Sequence, residues 1–124
     1  MTDYKTMPIL VVDDDPHVRE LLKDALMREG HEVVEASNGD LGIASYRAEG
    51  ADVVITDLLI PVKEGMEMIR ELQKEDPNVK VIAISGGGIK GADYLPLAKD
   101  LGAVATLQKP FRMQEMIEAV ENAL

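Results

Sequence analysis

Cysteine and tryptophan are absent from the 124 residues, and the only aromatic residues are one phenylalanine and three tyrosines. Without thiols, disulfides and thiolate metal sites are excluded, which suits a reducing compartment. With so few rings, the core has to be built from Val, Ile, Leu, Met and Ala. No secretory-type apolar segment follows Met1, and no apolar run approaches the ~18 residues of a membrane-spanning helix. Basic residues are also short: 13 Lys and Arg stand against 23 Asp and Glu, a net charge of −10. That balance argues against direct binding to a nucleic-acid backbone, which needs clustered cations. The expectation is a soluble, cytoplasmic, single domain spanning 1–124 that contacts neither membrane nor nucleic acid. A chain of this length buries roughly two-thirds of its unfolded surface.

What is present is a regular alternation. Pro8 to Val12 is β-branched and apolar and predicts a first strand, ended by Asp13-Asp14-Asp15. Pro16 fits a first helical turn with Asp15 as N-cap. Val18, Leu21, Leu22, Ala25 and Leu26 then form a helical stripe that Gly30 closes. A second strand is predicted over His31 to Ala36, and a weaker helix through Leu41, Ala44 and Ser45 up to Gly50. The run from 52 to 56 is a third strand, leading into Asp57 and a loop to Glu64; a helix begins at Gly65. Val79 to Ile84 is a fourth strand, followed by Ser85, three glycines and a flexible segment to Asp93. Leu97, Ala98 and Leu101 mark a short helix ended by Gly102. Ala103 to Leu107 is a fifth strand, and Met113, Met116, Ile117 and Val120 a last helix.

Five strand–helix units predict an α/β fold, a doubly wound parallel sheet joined by right-handed crossovers. The flavodoxin-like order 2-1-3-4-5 puts the switch point between strands one and three. Asp13 and Asp14 then lie beside Asp57, and Ser85 and Lys109 arrive at the same sheet edge from strands four and five. An acidic run is usually a solvated face, but here it ends a buried strand in register with Asp57 and Lys109. Crowded carboxylates have raised pKa values unless a cation neutralises them, and Mg²⁺ is the hard ion that suits oxygen donors. A lysine is a point charge for a phosphoryl oxygen and a serine hydroxyl donates to another. Carboxylate nucleophile, Mg²⁺, lysine and hydroxyl together suit phosphoryl transfer to Asp57.

Val11-Val12-Asp13-Asp14-Asp15-Pro16, Thr56-Asp57-Leu58-Leu59-Ile60-Pro61 with Gly65, Ile84-Ser85, and Leu101-Gly102-Ala103 through Lys109-Pro110-Phe111 carry a likeness that spans the chain. In these motifs the sequence resembles the receiver domain of two-component response regulators, in its stand-alone form without an output domain. The resemblance implies that Asp57 takes a phosphoryl group from a phosphohistidine on a sensor histidine kinase or histidine phosphotransfer protein. It implies that Asp13 and Asp14 form the acidic pocket, with Asp14, Asp57 and the Leu59 backbone carbonyl holding Mg²⁺. Ser85 is the switch hydroxyl, Lys109 the phosphate-binding lysine, and Lys109–Pro110 a cis bond. Such a protein phosphorylates itself without turning over a separate substrate, and signals through a downstream protein.

Two departures stand out. Thr106 occupies the place where receivers usually carry Tyr or Phe, so an aromatic relay to the surface cannot operate in its usual form. The positions two after the acceptor and two after the switch hydroxyl, Leu59 and Gly87, have no side chain that orients an attacking water; autodephosphorylation is therefore expected to be slow. Three other readings compete. An aspartate-nucleophile phosphatase on strand one needs Thr or Val where His17 stands. A flavin-binding domain lacks rings to stack. A receiver fold that works as a phosphorylation-independent interaction module has no need of a complete acceptor site. His17 and His31 each lack a second histidine nearby and are not read as metal ligands.

Overall fold

The computed structural model describes residues 7–58, 62–86 and 95–124. Five strands, β1 (Ile9–Val12), β2 (Val33–Ala36), β3 (Val53–Asp57), β4 (Val81–Ser85) and β5 (Ala105–Gln108), alternate with five helices. The helices are α1 (Pro16–Arg28), α2 (Gly39–Glu49), α3 (Val62–Glu75), α4 (Leu95–Asp100) and α5 (Met113–Ala123). The strands form one parallel sheet in the order β2-β1-β3-β4-β5. This is the flavodoxin-like arrangement expected of the (βα)5 pattern.

The alternation of side chains along each strand explains the two layers. Ile9, Val11, Val53, Ile55, Ile82 and Ile84 face one side, where Leu22 and Leu26 of α1 and Met116 and Val120 of α5 cover them. Leu10, Val12, Val54, Val81 and Ala83 face the other, under Ile43 of α2, Met68, Ile69 and Leu72 of α3, and Ala98 of α4. Strands covered on both faces read as continuous apolar runs, as β1, β3 and β4 do.

Several boundaries differ from the expectation. α3 begins at Val62 rather than Gly65, because a first helical turn needs no apolar periodicity and so leaves no signal. In α1, Leu21 is 59% exposed although it lies in the apolar stripe; only Leu22 and Leu26 of that helix are fully buried. In α2 the buried face is Gly39, Gly42 and Ile43, while Leu41 is 51% exposed and Ala44 is exposed. Glycine carries no hydrophobic signal, yet here it sets the packing. A Cβ on Gly42 would stand 2.9 Å from Met68 Sδ and 3.0 Å from Val12 Cγ2, so the helix rests directly on the sheet and on α3. Gly30, by contrast, is needed for its backbone, with φ +90° in the turn after α1.

At the amino edge of the sheet, α2 is tied to the end of α3. Tyr46 Oη donates to Asp76 Oδ2 at 2.6 Å, and its ring packs against the core. Burial, reinforced by the Asp76 bond, pushes the phenol pKa up, while the Tyr46 hydroxyl holds the Asp76 carboxyl below its ordinary value. Tyr46→Phe is expected to cost about 1 kcal/mol. Because the Asp76 pKa is depressed, this difference is full above the ordinary carboxylate range and disappears as pH falls through the lowered value. Urea unfolding of both proteins across acid pH checks it.

Candidate functional site

Parallel strands deliver their carboxyl ends to one edge, and the switch point between β1 and β3 opens a crevice there. Asp13 follows β1 and is 1% exposed; Asp57 ends β3 at 3%, and Ser85 ends β4 at 0%. Lys109 follows β5, its backbone N–H donating to Ser85 O at 2.7 Å, and the Lys109–Pro110 bond is cis as expected. The Lys109 ammonium donates to Asp57 Oδ2 at 2.6 Å and stands 3.8 Å from Asp13 Oδ2. Four of the residues singled out in the sequence therefore come together: Asp13, Asp57, Ser85 and Lys109. Asp14 lies next to them, exposed at the mouth. Leu59, whose carbonyl is among the expected metal ligands, and Gly87, Gly88 and the stretch to Asp93 lie outside the described residues.

The electrostatics follow from this packing. Burial raises the Asp13 pKa to about 6, helped by the Asp57 charge and opposed by the Asp15 N–H and by Lys109. Burial alone would lower the Lys109 pKa, but the bond and charge of Asp57, with Asp13 and Asp15, raise it on balance. Asp13 Oδ2 is buried and has no hydrogen-bond partner among the described residues. Its other oxygen accepts from Asp15 N at 2.8 Å, and Asp15 Oδ1 in turn accepts from His17 N at 2.9 Å as the α1 cap. A buried carboxylate oxygen with spare acceptor capacity, beside a second carboxylate, is an oxygen-only environment suited to a hard cation. Among the described residues no set of three His, Asp or Glu side chains forms a ready-made metal cluster.

One polar residue of this edge gave no signal in the sequence. Arg19 Nη1 donates to the Asp13 main-chain carbonyl at 2.7 Å. An arginine on a helix face reads as solvated, and only the tertiary placement of the β1–α1 turn reveals the bond. Thr106 sits half-buried on β5, paired in register with Ala83, and supplies no ring. Outside the crevice, a groove of about 510 Å³ runs between α1 and the segment after β5, walled by Val18, Leu21, Leu22, Phe111, Met113 and Lys109. The exposed Leu21 is one of its walls, so its place in the apolar stripe is explained by the groove and not by the core.

Comparison with known proteins agrees with this geometry. The response regulator receiver domain family matches residues 9–121. Sporulation initiation phosphotransferase F of Bacillus subtilis is 33% identical over 116 residues, covering 94% of this chain and 92% of that protein. Chemotaxis protein CheY of Thermotoga maritima is 35% identical over 115 residues, covering 92% and 94%. Among solved structures, a response regulator receiver domain protein from Clostridium thermocellum superposes with a TM-score of 0.85 at 35% identity, covering 94% and 93% of the two chains.

Proposed function

The chain belongs to the response regulator receiver domain family of two-component systems, and on that premise we propose that Asp57 accepts a phosphoryl group from a phosphohistidine. The phosphohistidine is carried by a histidine kinase or a histidine phosphotransfer protein. The observation that carries this reading is the pairing of a buried Asp57 carboxylate with the Lys109 ammonium at 2.6 Å, beside a second buried carboxylate. An Asp57 carboxylate oxygen attacks phosphorus; the P–O bond forms as the P–N bond breaks, and the imidazole leaves with a proton from solvent. Lys109 then faces an oxygen of the transferred group, and the Ser85 hydroxyl donates to another. Asp13, Asp14, Asp57 and the Leu59 carbonyl would hold Mg²⁺, which supplies charge neutralisation to the phosphoryl oxygens. The protein thus phosphorylates itself, works in the cytoplasm, and signals by binding a downstream protein.

Intact-mass measurement after incubation with a small acyl phosphate tests this directly. One added phosphoryl group that requires Mg²⁺ and is lost in Asp57→Ala is the expected result. No adduct with any donor would overturn the assignment and leave a phosphorylation-independent interaction module. The adduct should also outlast a half-life of seconds, since neither Leu59 nor Gly87 offers a group to orient water.

The groove and the acceptor site share Lys109 as a wall, and a protein donor that brings its histidine to Asp57 is proposed to cover the groove. Leu21→Glu puts a charge into that apolar contact. It is expected to slow transfer from the protein donor about ten-fold or more while leaving acyl-phosphate labelling unchanged. Equal slowing with both donors would show that the groove is not the docking face.

A further inference from the structure

Arg19 closes the first turn of α1, its backbone N–H donating to Asp15 O, and its side chain is only 18% exposed. Besides the bond from Nη1 to Asp13 O, its Nε donates to Glu35 Oε1 on β2 at 3.3 Å. Lys23, one turn further along, pairs with Glu35 Oε2 at 3.5 Å. We propose that Arg19 is a positioning residue for the acceptor site: braced by Glu35, it fixes the main chain at Asp13 and so aims the Asp13 and Asp14 carboxylates at a divalent cation. This rests on the reading that the site binds Mg²⁺.

The β1–α1 turn is held from three directions. Asp13 N donates to Ala36 O at 3.1 Å, which continues the sheet past its last pair. Asp15 N fixes Asp13 Oδ1, leaving Oδ2 on the Lys109 side. The third hold, on the carbonyl between Asp13 and Asp14, comes from Arg19. A planar guanidinium with donors on Nε and both Nη atoms spans a carbonyl and a carboxylate at once more readily than a compact ammonium does. Helix α1 does not need this bond to form. It already has the Asp15 cap, Pro16 in its first turn, and Leu22 and Leu26 in the core. Glu35 is a third exposed, and a pair at that exposure adds little to folding. What the bond reaches is the backbone linking the two acidic side chains.

The test is Mg²⁺ titration calorimetry on wild type, Arg19→Gln, Arg19→Lys, Glu35→Gln and the Arg19→Gln/Glu35→Gln double variant. Tyr46→Phe, a destabilising change at the opposite edge of the sheet, serves as control. Arg19→Gln is expected to weaken Mg²⁺ binding about ten-fold and Glu35→Gln about two- to three-fold, with the double variant no weaker than Arg19→Gln. Arg19→Lys restores part of the loss, and Tyr46→Phe leaves affinity unchanged. Wild-type affinity in Arg19→Gln, or additive losses in the double variant, would overturn the brace. If Arg19→Gln does not fold, unchanged affinity in Glu35→Gln does the same. Failure of wild type itself to bind Mg²⁺ would instead overturn the reading beneath it.

Discussion

Asp57→Asn should fold with wild-type stability, to within about 1 kcal/mol, and lose phosphoryl acceptance by at least about 1,000-fold. The two halves of this result come from different physics. An amide is isosteric with the carboxylate, so the packing around a 3%-exposed side chain is kept, but it has no anionic oxygen to attack phosphorus. On stability, the substitution removes the ion pair with Lys109, leaving at most a hydrogen bond to the neutral amide oxygen, and also removes a charge that crowds Asp13, so that Lys109 can turn to Asp13 Oδ2, 3.8 Å away. These effects oppose each other. Wild type in chelator carries a further signature. With the folded Asp13 pKa at about 6, above its ordinary value, the folded state holds its proton longer than the unfolded chain, so stability falls as pH rises from about 4 to 6. In Asp57→Asn this decline should be smaller and end at lower pH, because one cause of the raised pKa is gone. Intact mass with an acyl phosphate and urea titrations across that range measure both. An adduct that persists in Asp57→Asn would place the acceptor elsewhere.

The sheet order and the four converging side chains were legible because each rests on a local signal: apolar runs, a proline at a helix start, turn residues at strand ends. The carboxyl ends of β3 and β4 run past their apolar signal. Asp57 and Ser85 belong to β3 and β4, since pairing with the neighbouring strand, Asp57 with Ile84 and Ser85 with Gln108, extends the ladder over polar residues that read as loop. The glycine face of α2 was hidden for the reason that makes it work: it has no side chains to signal. Arg19 was hidden because its bond to Asp13 O depends on where the turn after β1 lies relative to α1. Leu21 was legible as apolar but not as exposed, since periodicity identifies a face and not what covers it. Local chemistry was thus readable, while contacts set by the approach of two elements were not.

Lys109→Ala is expected to cost about 2–3 kcal/mol in chelator, and Mg²⁺ should restore about half of it or more. Removing one partner of a buried ion pair typically costs about 3–5 kcal/mol because the other charge stays behind. The lower figure allows for solvent reaching Lys109, whose side chain is 28% exposed. Without the ammonium, Asp57 and Asp13 face each other across a crevice with spare acceptor capacity on Asp13 Oδ2. A divalent cation entering that space no longer meets a bound ammonium, so its affinity should rise about ten-fold or more, which alone returns about 1.4 kcal/mol at saturating ion. Wild type should gain less from Mg²⁺, since the ammonium on Asp57 Oδ2 repels an entering cation and competes with it for the carboxylate. Thermal unfolding of the two proteins with chelator and with Mg²⁺ separates these terms. Equal stabilisation of both by Mg²⁺ would show that lysine and metal do not compete for Asp57. Lys109→Arg should keep the stability but not the site, because a planar fork carries the charge without the compact reach that brings Nζ to 2.6 Å from Oδ2.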